Sequence, residues 1–143
     1  MVMPTRYRDR IQERSQGRLI VTVDRDQCLL LYPLPDWEEI ERKLMRLPTL
    51  HPQARRLQRL MVGHATDLEL DGHGRVLLPP KLREFADLSR QAVLIGQGNR
   101  FELWDEARWN RASRRVAQRR RARHGSTGGA RIAFAVGARG LAK

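Results

Sequence analysis

Asp71, Gly72, His73, Gly74 and Arg75 stand consecutively in the stretch DGHGRVLLPPKLREF, and their types admit three kinds of chemistry. A glycine-bracketed histidine and aspartate suit a ligand-binding loop, and the same pair suits a catalytic turn. The third reading is a tight turn that aims one arginine outward. Gly72 and Gly74 permit positive φ in such a turn, and the Asp71 carboxylate can accept hydrogen bonds from the turn's backbone N–H groups. Arg75 is then held at a fixed angle, where a guanidinium can grip guanine O6 and N7 or a phosphate with two hydrogen bonds. Taken alone, the motif also fits an ordinary hairpin with a solvated arginine. The rest of the chain has to decide.

Other candidate chemistry is thin. His51, His64, His73 and His124 have no spacing that suggests a metal site, and one cysteine, Cys28, adds nothing to them. Cys28 lies among leucines and reads as a buried strand thiol in a reducing compartment, which fits a cytoplasmic protein. Gly96-Gln97-Gly98 falls inside a hairpin, so it is a turn and not a phosphate cradle. Glu38 and Glu39 belong to a helix exterior, and Trp37, Trp104 and Trp109 occupy repeat-matched positions that suit core or interface packing. There is no nucleophile–base constellation. The expectation is a protein that is not an enzyme and takes no cofactor, metal or small-molecule substrate.

Charge is unevenly placed. The 143 residues carry a formal net charge of +12, yet all 16 acidic residues precede residue 111. Residues 111–143 hold ten basic residues and no acid, which leaves 18 basic against 16 acidic in the rest. The basic character belongs to the tail and does not by itself make the folded part a nucleic-acid binder. No run of 18 apolar residues is present, so no membrane span is expected, and the N-terminus lacks a secretory pattern.

The elements that must position Arg75 can be read from periodicity. A proline-opened helix over 4–15 ends at a Gln16-Gly17 turn. RLIVTV (18–23) and CLLLYP (28–33) are strands joined by Asp24-Arg25-Asp26-Gln27. Asp36 and Glu39 have capping-box spacing ahead of a helix whose one face carries Trp37, Ile40, Leu44 and Leu47. A second short helix runs to Gly63. TDLEL (66–70) and RVLL (75–78) are strands flanking DGHG, PPKLREFADL is a helix, AVLI and RFELW are strands, and DEARWNRASRRVAQ starts the last helix. Beyond about Arg123 the Gly/Ala/Arg composition predicts disorder.

The pattern repeats. MPTRYR (3–8) matches LPPKLR (78–83) at a separation of 75 positions, and IVTVDRDQCLLLYPLPDW (20–37) matches AVLIGQGNRFELWDEARW (92–109) without gaps at 72. Trp37 pairs with Trp109, Tyr32 with Trp104 and Leu31 with Leu103. Each unit is too small to bury a core alone, and two stacked units can bury one.

CLLLYPLPDWEEIE, RRLQRLMVGHATDLELDGHGRVLLPPKLREFA and GQGNRFELWDEARW resemble the MraZ family, bacterial transcriptional regulators of the division and cell-wall gene cluster, over residues 3–110. The resemblance implies an α+β fold of two tandem swapped-hairpin, SpoVT-AbrB-like β-α-β units, packed as a pseudo-symmetric, β-barrel-like core with flanking helices. Its units would be residues 1–37 and 65–109, with a helical connector at 38–64 and a basic helix extension and tail at 110–143. It further implies ring-like homo-oligomers, binding to short direct DNA repeats in a promoter, and a cytoplasmic, nucleoid-associated location. The family's Asp-x-x-x-Arg hairpin maps onto Asp71 through Arg75, with Arg75 facing DNA and Asp71, Gly72 and Gly74 supporting the turn.

Two departures qualify this reading. The 75-residue offset sets Met1 opposite Val76, so the first unit lacks the N-terminal strand, turn and arginine, and its sheet should expose an unpaired edge. Arg6 and Arg8 remain, matching Lys81 and Arg83, either as phosphate contacts or as solvated helix charges. The acid-free tail reads as an appendage with non-specific affinity for polyanions. The alternative to a regulator is an oligomeric scaffold that has lost specific DNA recognition with the missing hairpin.

Overall fold

The computed structural model describes residues 1–122 and 131–135. In chain order the elements are α1 (Thr5–Ser15), β1 (Arg18–Val23), β2 (Leu29–Pro33), α2 (Leu34–Met45), α3 (Pro52–Met61), β3 (Thr66–Glu69), α4 (Pro80–Phe85), β4 (Gln91–Gln97), β5 (Arg100–Asp105), α5 (Glu106–Arg121) and β6 (Arg131–Ala135). The α+β class is as expected. All strands join one antiparallel sheet in the order β3-β1-β2-β5-β4-β6.

Side-chain alternation explains why β1 and β2 are almost wholly apolar. Leu19, Val21, Val23, Leu29 and Leu31 enter a core with Tyr7 and Ile11 of α1 and Leu82 of α4. Ile20, Leu30 and Tyr32 point to the opposite face, where Trp37 and Leu44 of α2 and Met61 of α3 cover them. A strand buried on both faces has no polar positions to alternate with. Each fully buried leucine or valine contributes roughly 1.5–3 kcal/mol.

The repeat becomes a pseudo-twofold axis. Leu30 is the register partner of Glu102 across the central β2–β5 pair, and these two positions are equivalent at the separation of 72. Met1 and Val76, equivalent at 75, exchange backbone hydrogen bonds of 2.8 and 3.0 Å. The axis thus passes through both pairs. The ungapped match over residues 20–37 does need correcting. Leu19 lies opposite Pro33 in the first hairpin and Ala92 opposite Asp105 in the second, so β1 maps onto β4 at a separation of 73, against 72 for β2 onto β5. The first hairpin's loop is one residue longer. A one-residue slip exchanges the two faces of a strand, and only the shifted match sets Leu19 and Val21 with Ala92 and Leu94 in one core.

Four further expectations change. Residues 75–78 form no strand; they contribute one isolated bridge, Val2 to Arg75. The first unit's edge is not bare, because β3 lies against β1 in the register Arg18–Glu69 to Val21–Thr66. Residues 131–135, expected within a disordered tail, form β6 on β4; the rest of that expectation, 123–130 and 136–143, lies outside the described residues. Asp36 is not a cap. The helix begins after Pro33, with Asp36 in its first turn and its carboxylate in a bidentate pair with Arg14 at 2.5 and 2.6 Å. The matching tie in the second half is Ser89, whose N and Oγ donate to Asp105 at 3.1 and 2.6 Å. Arg14 thus ties α1 to the start of α2, and Ser89, in the segment between α4 and β4, is tied to the residue that caps α5.

Candidate nucleic-acid interface

The Asp71–Arg75 turn is clamped by its aspartate. Asp71 Oδ1 accepts from the backbone N of His73 at 2.8 Å and of Arg75 at 2.9 Å. Asp71 N donates to Arg75 O, and Gly74 N donates to Asp71 O, both at 3.0 Å. The Arg75 N–H, with the His73 N–H and the nearby positive charges, lowers the Asp71 pKa despite some desolvation, because donors aimed at a carboxylate favour its charged form.

Only one of the two glycines carries a positive φ. Gly74 sits at φ 71°, whereas Gly72 is absent from the left-handed region. Gly74 has a second constraint, since a Cβ there would lie 2.0 Å from Arg8 Nε. Arg8 itself packs against the turn. It is half-buried, donates to Met3 O at 3.0 Å and fills the space that a side chain at residue 74 would need. Its repeat mate, Arg83, is also half-buried, and the Nε atoms of both are buried without a hydrogen-bond partner.

Arg75, by contrast, is exposed, and its side chain makes no hydrogen bond or ion pair among the described residues. Lys81 and Arg6 are exposed on α4 and α1, with Arg6 lying 6.0 Å from the centroid of the Tyr7 ring. Arg75, Arg8 and Arg83 converge on the crossing of residues 1–3 over 74–76. Burial lowers the Met1 amine pKa, with the Arg83 and Arg75 charges adding to the effect. Among the described residues neither Arg6 nor Lys81 makes a hydrogen bond or ion pair with the turn.

Other reactive types are engaged elsewhere. Burial pushes the Cys28 thiol pKa up, which removes the thiolate a nucleophile needs. Among the described residues no group of three His, Cys, Asp or Glu could hold a metal, and no helix is long and apolar enough to cross a membrane. Gly98, at φ 62°, turns β4 into β5. Trp37 is buried against Tyr32, with ring centroids 5.7 Å apart, and Trp104 and Trp109 pack on each other at 5.7 Å. Sequence reasoning missed Arg108, which donates to the carbonyls of Gln27 at 2.5 Å, Ala86 at 2.8 Å and Asp26 at 3.1 Å. Its equivalence to Asp36 at the separation of 72 was the available signal.

These features define a tandem-repeat α+β protein whose two halves share one sheet and which presents a clamped arginine turn to solvent. The MraZ family model, described as "MraZ protein, putative antitoxin-like", matches it twice, over residues 1–60 and 61–128. The chain is similar to the protein named Transcriptional regulator MraZ of Thioalkalivibrio sulfidiphilus, at 63% identity over 76% of this chain and 73% of that one. It is similar to its namesakes in Methylococcus capsulatus, at 60% over 78% and 73%, and Pseudomonas aeruginosa, at 59% over 77% and 74%. The chain belongs to the MraZ family.

Proposed function

We propose that this protein is a DNA-binding transcriptional regulator and that the Asp71–Arg75 turn is its base-reading element. One observation carries the reading: the Asp71 carboxylate is engaged by the turn's own N–H groups, while the Arg75 guanidinium is exposed and makes no hydrogen bond or ion pair among the described residues. Such a guanidinium is pre-oriented for bidentate contact with guanine or phosphate. Arg8 and Arg83 supply fixed positive charge behind it, while Lys81 and Arg6 flank it as phosphate contacts that set register. The names of the relatives support regulation of transcription, and no part of the reading calls for catalysis.

The finer form of the proposal is a protein of the cytoplasm and nucleoid that reads short direct promoter repeats as a ring-like homo-oligomer, in which several modest contacts act together. The two halves are swapped hairpins in this reading; the lodging of β3 from the second half on β1 of the first supports it. A mobility-shift titration at moderate salt, with a promoter fragment carrying the repeats against a shuffled fragment, tests the function. Preference for the repeats is expected. Equal binding to both would leave a non-specific polyanion binder, and binding to neither would leave a scaffold.

A further inference from the structure

The repeat brings opposite charges to equivalent places. At the separation of 72, Asp36, Glu39 and Lys43 of α2 correspond to Arg108, Arg111 and Arg115 of α5. In the first half each of these charges is answered: Asp36 pairs with Arg14, and Glu39 lies 3.6 Å from Lys43. In the second half all three are positive. Arg108 donates to neutral acceptors, the carbonyls of Asp26, Gln27 and Ala86 and the Gln27 side-chain oxygen. Arg111 and Arg115 are exposed and make no hydrogen bond or ion pair among the described residues. Like charges one turn apart on a helix repel, so this face of α5 carries a cost that α2 avoids.

The three arginines, with Asp26, Trp104 and Ala112, line a cleft of about 380 Å³ between α5 and the β1–β2 loop. Three guanidiniums against one carboxylate make it strongly positive. Its volume falls in the range of small-molecule sites, roughly 300–1,000 Å³. Arg108 is anchored by its carbonyl bonds, and its guanidinium lies 5.8 Å from the centroid of the half-buried Trp104 ring. Arg111 and Arg115 are free to close on an anion, and a guanidinium grips phosphate with two hydrogen bonds. An indole beside them offers a face on which a base can stack. We infer that this cleft binds a nucleoside diphosphate, with Arg111 and Arg115 holding the two phosphates and Trp104 meeting the base. No residue of the Asp71–Arg75 turn lines it, so it is a second site for a different class of ligand.

Isothermal titration calorimetry of the full chain with ADP, GDP, CDP and UDP in turn, and with pyrophosphate, tests this. At least one nucleotide should bind at one site per chain, tenfold or more tighter than pyrophosphate, because only the nucleotide reaches Trp104. Arg111→Gln with Arg115→Gln should weaken that binding tenfold or more. Arg120→Gln with Arg121→Gln removes the same charge outside the cleft and should change it less than twofold. Arg75→Ala should leave it unchanged, so a failure of the DNA-reading turn does not register here. In the parent chain the bound nucleotide should change the indole emission, and Trp104→Phe should lose that change while Trp37→Phe keeps it. Three results would overturn the inference: no nucleotide binding, binding no tighter than that of pyrophosphate, or an emission change that survives Trp104→Phe. Equal losses from the two arginine pairs would overturn it as well, since they would mark diffuse attraction of a polyanion to α5.

Discussion

At the scale of single residues, Gly74 and Asp71 make the turn and Arg75 uses it. Gly74→Ala should destabilise the protein by about 1–3 kcal/mol, the range for a non-glycine residue held at positive φ. Part of that cost comes from collision with Arg8, so Gly74→Ala with Arg8→Ala should cost less than the two changes summed; strict additivity in urea unfolding would show that Arg8 is not the obstacle. Asp71 makes a pH prediction. Its folded pKa is depressed below its ordinary value, so the stability it confers is present at neutral pH and lost as pH falls through that lowered pKa. A carboxyl NMR titration should find its midpoint below that of an exposed model aspartate, and Asp71→Asn should remove the difference in stability between neutral and acid pH that Asp71 causes. The clamp itself was legible from DGHGR, because Asx turns and glycine φ are local chemistry. Arg8 was not, since only the crossing of residues 1–3 over 74–76 brings it to Gly74.

At the scale of elements, α1 is tied to α2 by an ion pair whose partners differ sharply in exposure: the Arg14 side chain is 50% exposed and that of Asp36 only 3%. Removing Arg14 strands a buried carboxylate, so Arg14→Met should lower stability, though by less than breaking a fully buried pair because water reaches the arginine side. Asp36→Leu added to it should recover much of the loss, and a double mutant less stable than the single would contradict this account. Periodicity placed most helices and the β1–β2 and β4–β5 hairpins. It misplaced Asp36 as a cap because the spacing to Glu39 is local, whereas the partner that claims Asp36 is 22 residues away. It read 75–78 as a strand because the run is apolar and short, yet Leu78 is buried against the shared core rather than laddered. It left 131–135 without structure because Gly/Ala/Arg composition says nothing of an open edge elsewhere in the sheet.

At the scale of the whole molecule, a repeat found in the sequence is the symmetry of one sheet with one shared core, and the basic charge lies mostly outside that sheet. Arg119, Arg120 and Arg121 are exposed in the last turn of α5, with no acid after them in the chain. Replacing all three with glutamine should reduce the dependence of DNA affinity on salt by about two to three counterions, while the ratio of specific to random binding stays the same. A fall in that ratio would make α5 part of recognition. The central claim, however, rests on Arg75, and fluorescence anisotropy with Arg75→Ala and Arg75→Lys on repeat-bearing and shuffled DNA tests it most directly. The account predicts that alanine removes roughly 1–3 kcal/mol of discrimination while shuffled DNA is bound almost as before, and that lysine, which lacks the planar fork, does not restore the preference for the repeats. Equal losses on the two DNAs, or no loss on either, would contradict it.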